Sequence, residues 1–224
     1  MPHELLQSLA GYKNIVFDCD GVILNSNKIK SHAFYSSALS WGSEAASSLL
    51  SYHLQNGGIS RYEKFQYFFD VIIPSCSYLD QGYELNTLVQ LYATQVADEL
   101  LKCQMTHALP YLRELTSSAS WLVASGSDQS ELRSIFMQRN ISHFFDAGIY
   151  GSPDDKYKIV ANSLSEDDCA NSLFIGDSIY DFKVSKYYGM DFLFVCDWTD
   201  ITGWRTVVRN YNMTHIDSLD SLLT

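Results

Sequence analysis

NIVFDCDGV, residues 14–22, is the stretch whose reading decides the fold. Its first half is a short, nearly continuous apolar run, and it ends abruptly in two carboxylates and a glycine. Four more runs share that character: residues 121–124 (WLVA), 147–150 (AGIY), 172–175 (SLFI) and 192–195 (FLFV). Runs of strand length that are apolar throughout are the mark of parallel strands buried on both faces. Helix-length mixtures of polar and apolar residues lie between the later runs, at 129–139, 156–165 and 181–188. Alternating strands and helices predict an α/β fold with a doubly wound, Rossmann-like parallel sheet.

The gap after the first run is far longer than an ordinary crossover. Its content is helical in pattern, at 28–40, 61–73 and 84–102. In the last of these, Leu85, Leu88, Leu91, Tyr92, Gln95, Val96 and Leu100 fall near helical spacing. The expectation is an all-helical cap domain over 26–106, inserted into a core made of 1–25 and 107–224. The serine-rich patches at 47–51 and 117–120 read as turns and helix ends.

Composition narrows the function. The chain has 224 residues, of which 46% are hydrophobic and 14% aromatic, enough to fill a sizeable core. A formal net charge of −11 argues against nucleic acid or an anionic membrane surface as partner. The five cysteines are scattered and show no CxxC spacing, so neither a zinc site nor a disulfide framework is expected. Residues 1–10 lack the basic and apolar regions of a signal peptide, and no apolar run approaches bilayer length. The expectation is a cytoplasmic protein, monomeric or weakly dimeric.

Ligands of open parallel sheets bind beyond the carboxyl ends of the strands, so the residues just past each run carry the most information. After the first come Asp18 and Asp20, two carboxylates whose repulsion calls for a cation or a shared proton. A lone DxDG is equally a capped surface turn. After the second comes Ser125-Gly126-Ser127-Asp128, an anion site if a helix starts there, or an ordinary N-cap. After the third comes Lys156, a cation where a helix start prefers anions. After the fourth come Asp177 and Asp181, four residues apart and so on one helical face. Together these gather hard oxygen donors for Mg²⁺ and cations for a phosphate on one rim.

At these residues the chain resembles the haloacid dehalogenase superfamily. FDCDGV at 17–22 is similar to its first motif, Ser125 in VASGS to its second, Lys156 in GSPDDK to its third and GDSIYD at 176–181 to its fourth. The insertion after the first motif is where members with a helical cap carry it; phosphoglycolate phosphatases and β-phosphoglucomutases belong to this group.

The resemblance implies that Asp18 is the nucleophile and Asp20 the general acid and base. It implies Mg²⁺ held by Asp18, the carbonyl of Asp20 and Asp177, with support from Asp181. Ser125, Gly126 and Lys156 would hold the phosphoryl oxygens of a small phosphorylated metabolite. Dehalogenases and phosphonatases lack an acid at the place of Asp20, so phosphate-ester chemistry is favoured. Gly58-Ile59-Ser60-Arg61 resembles the cap loop with which β-phosphoglucomutases grip a second phosphate, although Ser60 also reads as a plain N-cap and Arg61 as an exposed helix start. Lys30 stands where the mutase pattern has histidine, and Asn25 where the group usually has an acid. A phosphatase is expected ahead of a phosphosugar mutase, and both ahead of a catalytically silent binding protein on the same scaffold.

Overall fold

The computed structural model describes residues 2–76 and 84–223. Six strands form one sheet: β1 (Asn14–Phe17), β2 (Ser120–Asp128), β3 (Gly148–Ser152), β4 (Ser172–Gly176), β5 (Asp191–Val195) and β6 (Thr214–Ile216). Their order is β3-β2-β1-β4-β5-β6, and every pairing is parallel.

The apolar runs are continuous because the sheet is covered on both sides. Ile15, Phe17, Trp121, Val123, Leu173, Ile175, Leu193 and Val195 face one core, with α1 (Pro2–Leu9), α7 (Leu109–Leu115) and α8 (Gln129–Gln138) contributing Leu9, Leu112 and Phe136 to it. The alternate residues Val16, Leu122, Phe174 and Phe194 face the other. There α9 (Lys156–Ser163), α11 (Ile179–Tyr187) and α12 (Trp204–Tyr211) add Val160, Val184 and Val208, and the short α10 (Glu166–Cys169) adds Cys169.

Two elements of this half differ from the sequence reading. β2 runs to Asp128 rather than stopping at 124, through an irregular pairing with β3 between Ala124 and Asp128. Strand β6 was not expected. It is three residues at the sheet edge, two of them exposed, so it carries no apolar run to read.

Between the first two strands lie α2 (Asn27–Ala38), α3 (Ser43–Gln55), α4 (Arg61–Tyr67), α5 (Ile73–Ser75) and α6 (Leu85–Lys102), with no named strand among the described residues. Helix α3 absorbs the serine patch at 47–51, which in sequence reads as a turn. Its buried Ala45, Ala46, Leu49 and His53 recur at helical spacing and outweigh the weak propensity of serine. The helix expected over 61–73 is instead α4 followed by a π-helical stretch, Phe68–Ile72, that buries Phe68 and Ile72. Phe34, Phe65 and Tyr92 meet as a ring cluster and join the helices to the core on the first sheet face. The two linkers run side by side. Leu24 bridges Met105, Asn25 N–H donates to the Gln104 carbonyl at 2.9 Å, and Thr106 N–H donates to the Ile23 carbonyl at 3.0 Å.

All five cysteines are free. No helix among the described residues is long and apolar enough to cross a membrane.

Candidate active site

The strand order reverses between β1 and β4, since later strands add on opposite sides of β1. A crevice opens at the carboxyl ends of such a pair. Asp18 stands just past β1 there, and Asp177 just past β4. Gly21 makes this approach possible: its φ is +76°, and a Cβ on it would stand 2.1 Å from Asp177 Oδ2.

Asp18 is 3% exposed. Its Oδ1 accepts from the Cys19 N–H at 2.7 Å and from Lys156 Nζ at 2.8 Å. Lys156 Nζ also donates to Asp181 Oδ1 at 2.6 Å, so one buried ammonium bridges the first and fourth strand ends. Burial disfavours that ammonium, but Asp18 and Asp181 outweigh it and raise its pKa. Asp181 is also N3 of α11. Its Oδ2 accepts from the Ser178 hydroxyl at 2.6 Å, and the Ser178 hydroxyl accepts from the Asp181 N–H in a reciprocal cap.

Asp18, Asp177 and Asp181 each offer an oxygen to one point, with the three atoms within 4.8 Å of one another and all three residues buried. Burial and the neighbouring Asp181 and Asp20 raise the Asp18 pKa to about 7 despite Lys156. Burial, with Asp18 and Asp181, likewise pushes Asp177 well above the ordinary carboxylate range. Three hard oxygen donors crowded within 4.8 Å of one another fit a divalent cation such as Mg²⁺, whose charge offsets their repulsion.

Asp20 stands apart from this trio. Its Oδ1 accepts from the Ser26 hydroxyl at 2.5 Å, and its Oδ2 from Lys30 Nζ at 2.5 Å and the Ser127 hydroxyl at 3.0 Å. Burial works against its charge, but Lys30 and these hydrogen bonds win and lower its pKa. Ser26 is the N-cap residue of α2, yet its hydroxyl serves Asp20 and Leu24 rather than the helix. Asn27 Nδ2 donates to Asp177 Oδ2 at 2.7 Å and to the Trp198 carbonyl at 2.8 Å. The start of α2 is thus tied to both strand ends.

Ser125 lies inside β2 rather than at a helix start. Its buried hydroxyl accepts from the Ser127 N–H at 3.1 Å. The helix after it begins at Gln129, and the N-cap is Asp128, which accepts from the Ser130 and Glu131 N–H groups. Gly126 is where the helical segment presses closest, since a Cβ on it would lie 2.4 Å from the Gly58 carbonyl oxygen.

A cavity of about 400 Å³ is lined by Asp18, Asp20 and Asp177 and by Lys30, Arg61 and Lys64. Arg61 points inward and is 5% exposed. Its guanidinium pairs with Glu131 of α8, and Ser60 caps α4 by accepting from the Tyr62 and Glu63 N–H groups. Asn27, His53 and Asp200 stand in no motif of the sequence; only packing aims Asn27 on α2, His53 on α3 and Asp200 in the loop after β5 at the cleft. Ser127, in the stretch after the second apolar run, meets Asp20 from β2.

A family model described as haloacid dehalogenase-like hydrolase matches residues 15–195. No curated protein matches the chain. Among solved structures, a haloacid dehalogenase-like family hydrolase from Streptococcus pneumoniae is 20% identical with a TM-score of 0.63, covering 95% of this chain and 97% of that one. A predicted phosphoglycolate phosphatase from Haemophilus somnus is 15% identical with a TM-score of 0.69, covering 95% and 97%. A β-phosphoglucomutase from Clostridium difficile is 17% identical with a TM-score of 0.67, covering 94% and 93%. At such identities these structures speak for the fold, while the family model spans most of the chain: it belongs to the haloacid dehalogenase-like hydrolases.

Proposed function

We propose that the protein is a Mg²⁺-dependent phosphatase that hydrolyses a small phosphorylated metabolite through an aspartyl-phosphate on Asp18. Residues 26–106 act as a cap over a core of 1–25 and 107–224. The observation that supports this reading best is the Lys156 bridge between Asp18 and Asp181, beside Asp177 and under the cavity. It holds a buried carboxylate rigidly at the cavity floor with a cation against it, which is what an anionic nucleophile needs.

When bound by Asp18, Asp177, Asp181 and the carbonyl of Asp20, Mg²⁺ supplies the positive charge that lets a carboxylate approach a phosphate dianion. Asp18 attacks phosphorus, and the P–O bond to the alcohol breaks as the alcohol oxygen takes a proton from Asp20. Asp20 then accepts a proton from water, whose oxygen attacks the phosphorus of the aspartyl-phosphate and frees Asp18. Lys156 screens Asp18 throughout, and Gly126 with Ser125 shapes the pocket for the phosphoryl oxygens. Burial raises the Asp20 pKa while Lys30 and the Ser26 and Ser127 hydroxyls lower it, so loosening the Lys30 contact as substrate enters would favour Asp20 as a proton donor.

A phosphosugar mutase is the second reading, favoured by the inward, buried Arg61. Its guanidinium is already engaged by Glu131, which leaves less of it for a second phosphate. The test is hydrolysis of p-nitrophenyl phosphate with Mg²⁺. Turnover is expected, with Asp18→Asn abolishing it in a folded protein and Asp20→Asn slowing it by about 10² to 10⁴. Substantial turnover by Asp18→Asn would sink the mechanism, and no turnover by the unaltered protein would leave a binding protein on this scaffold.

A further inference from the structure

The cavity lining includes a buried lysine with no carboxylate paired to it among the described residues. Lys64 is 3% exposed. Its Nζ donates to His53 Nδ1 at 2.8 Å and lies 5.3 Å from the centre of the Phe34 ring. The other buried cations that line the cavity have carboxylates, Asp20 for Lys30 and Glu131 for Arg61. Lys64 forms no ion pair with any described residue. Burying an ammonium without an anion is expensive, and a neutral imidazole supplies an acceptor but no charge.

A hydrogen-bond chain fixes where this amine points. The Ser31 hydroxyl donates its one proton to Asp200 Oδ2 at 2.9 Å. Its oxygen therefore accepts from His53 Nε2, 3.0 Å away, and His53 Nδ1 is left as the acceptor for Lys64. The chain runs from the loop after β5 through α2 and α3 to α4, so it exists only with the cap seated on the core. A second orphan lies on the same helix three residues earlier: Arg61 Nε is buried, without a hydrogen-bond partner. Two donors of α4, aimed at one cavity and short of acceptors, call for an oxygen-rich anion. Asp18 and Asp20 line the same cavity, so the anion belongs to the molecule that carries the phosphate.

We propose that Lys64 receives a second anionic group of the substrate, a carboxylate or a second phosphate, on the portion released as the alcohol. The inference rests on the phosphatase reading and deepens it. A phosphate ester with a neutral tail leaves Lys64 uncompensated and disfavours the seated cap. One with a second anionic group supplies the missing charge and completes the chain from Asp200.

The test is calorimetric binding to Asp18→Asn in Mg²⁺, which needs no turnover. The probes are matched pairs: ethyl phosphate with 2-phosphoglycolate, and propyl phosphate with 1,3-propanediol bisphosphate. At least one probe with the second anionic group is expected to bind roughly 30-fold or more tighter than its partner with an uncharged tail, the loss typical of a buried charge pair missing one member. The pair that shows it identifies carboxylate or phosphate as the group read. With Lys64→Met or Lys64→Gln added, the ratio is expected to fall to within about threefold, and Lys64→Arg to keep part of it. Equal binding within both pairs, or a preference that survives loss of the amine, overturns the inference. Failure of the phosphatase reading shows separately, as absence of p-nitrophenyl phosphate hydrolysis by the protein with Asp18 intact.

Discussion

Lys30 Nζ lies 2.5 Å from Asp20 Oδ2, and this contact joins the first turns of α2 to the loop after β1. Both side chains are mostly buried, at 12% and 18% exposure, so the pair behaves more as a buried than a surface bridge. Asp20 has a lowered pKa, so its share of the stability is present above its unfolded value near 4 and fades as pH falls through the folded value. Lys30 has a raised pKa, so its share is full below about 10 and fades as pH rises through the folded value. Near neutral pH the coupling is complete. Lys30→Met alone is expected to cost about 3–5 kcal/mol in urea unfolding, and Lys30→Met with Asp20→Asn to recover most of it. A coupling below about 0.5 kcal/mol, the level of an exposed pair, would mean that α2 is not seated against the β1 loop this way in solution.

The metal prediction comes from the same electrostatics. Asp18 has its pKa raised to about 7 and Asp177 is pushed up as well, so protons compete with a cation for these oxygens. Mg²⁺ affinity, measured by calorimetry without substrate, is expected to rise as pH climbs through about 7 and to release protons on binding. Activity is expected to vanish in EDTA, return with Mg²⁺ and be inhibited by Ca²⁺, whose larger, looser shell suits in-line transfer poorly. Full activity after exhaustive chelation would end the metal-assisted mechanism.

Gly126 gives a way to separate seating from folding. An alanine Cβ there would meet the Gly58 and Ile59 carbonyl oxygens at 2.4 and 3.1 Å, both in the loop before α4 and neither in the sheet. Its φ lies outside the left-handed region, so alanine suits the backbone itself. Gly126→Ala is expected to leave the melting temperature nearly unchanged and to lower kcat/KM by about tenfold or more, since small misplacements of a closing element are costly. Wild-type kcat/KM in this variant would show that the contact yields without cost.

The part of the site legible in the sequence is the part that strand ends dictate. Asp18, Lys156, Asp177 and Asp181 lie past strands, their place is set by the sheet, and the structure brings them within reach of one another. Ser125, read as lying just past the second strand, lies inside β2, which continues to Asp128, and Asp128 caps the start of α8 as the ordinary N-cap reading has it. Lys30, Lys64 and His53 come from helices whose rotation is set by distant packing, such as the ring cluster of Phe34, Phe65 and Tyr92. Helix periodicity shows that a face is buried, and cannot show that the face contains an amine aimed at a carboxylate on another element.

Lys64 leads to a stability prediction independent of any substrate. Burial is the main cause of its pKa falling to about 7, with Lys30 next. The unfolded chain holds that proton up to about 10.4. Between about 7 and 10.4 the unfolded state therefore binds more protons than the native state, and stability rises with pH across that window. Below about 7 the amine is charged in both states, and the native state carries the full burial penalty. Lys64→Met lacks the group, so it should be more stable than the unaltered protein by up to a few kcal/mol at pH 6, with the advantage shrinking toward zero by about pH 10. Other groups titrate over this range, but they are common to both proteins and cancel in the difference. The measurement is urea unfolding of the pair at several pH values. A constant difference from pH 6 to 10 would mean that Lys64 stays charged in the folded protein, held by an anion or by water. A ligand that supplies a second anion should have the same effect on purpose, raising the pKa of Lys64 and removing the slope.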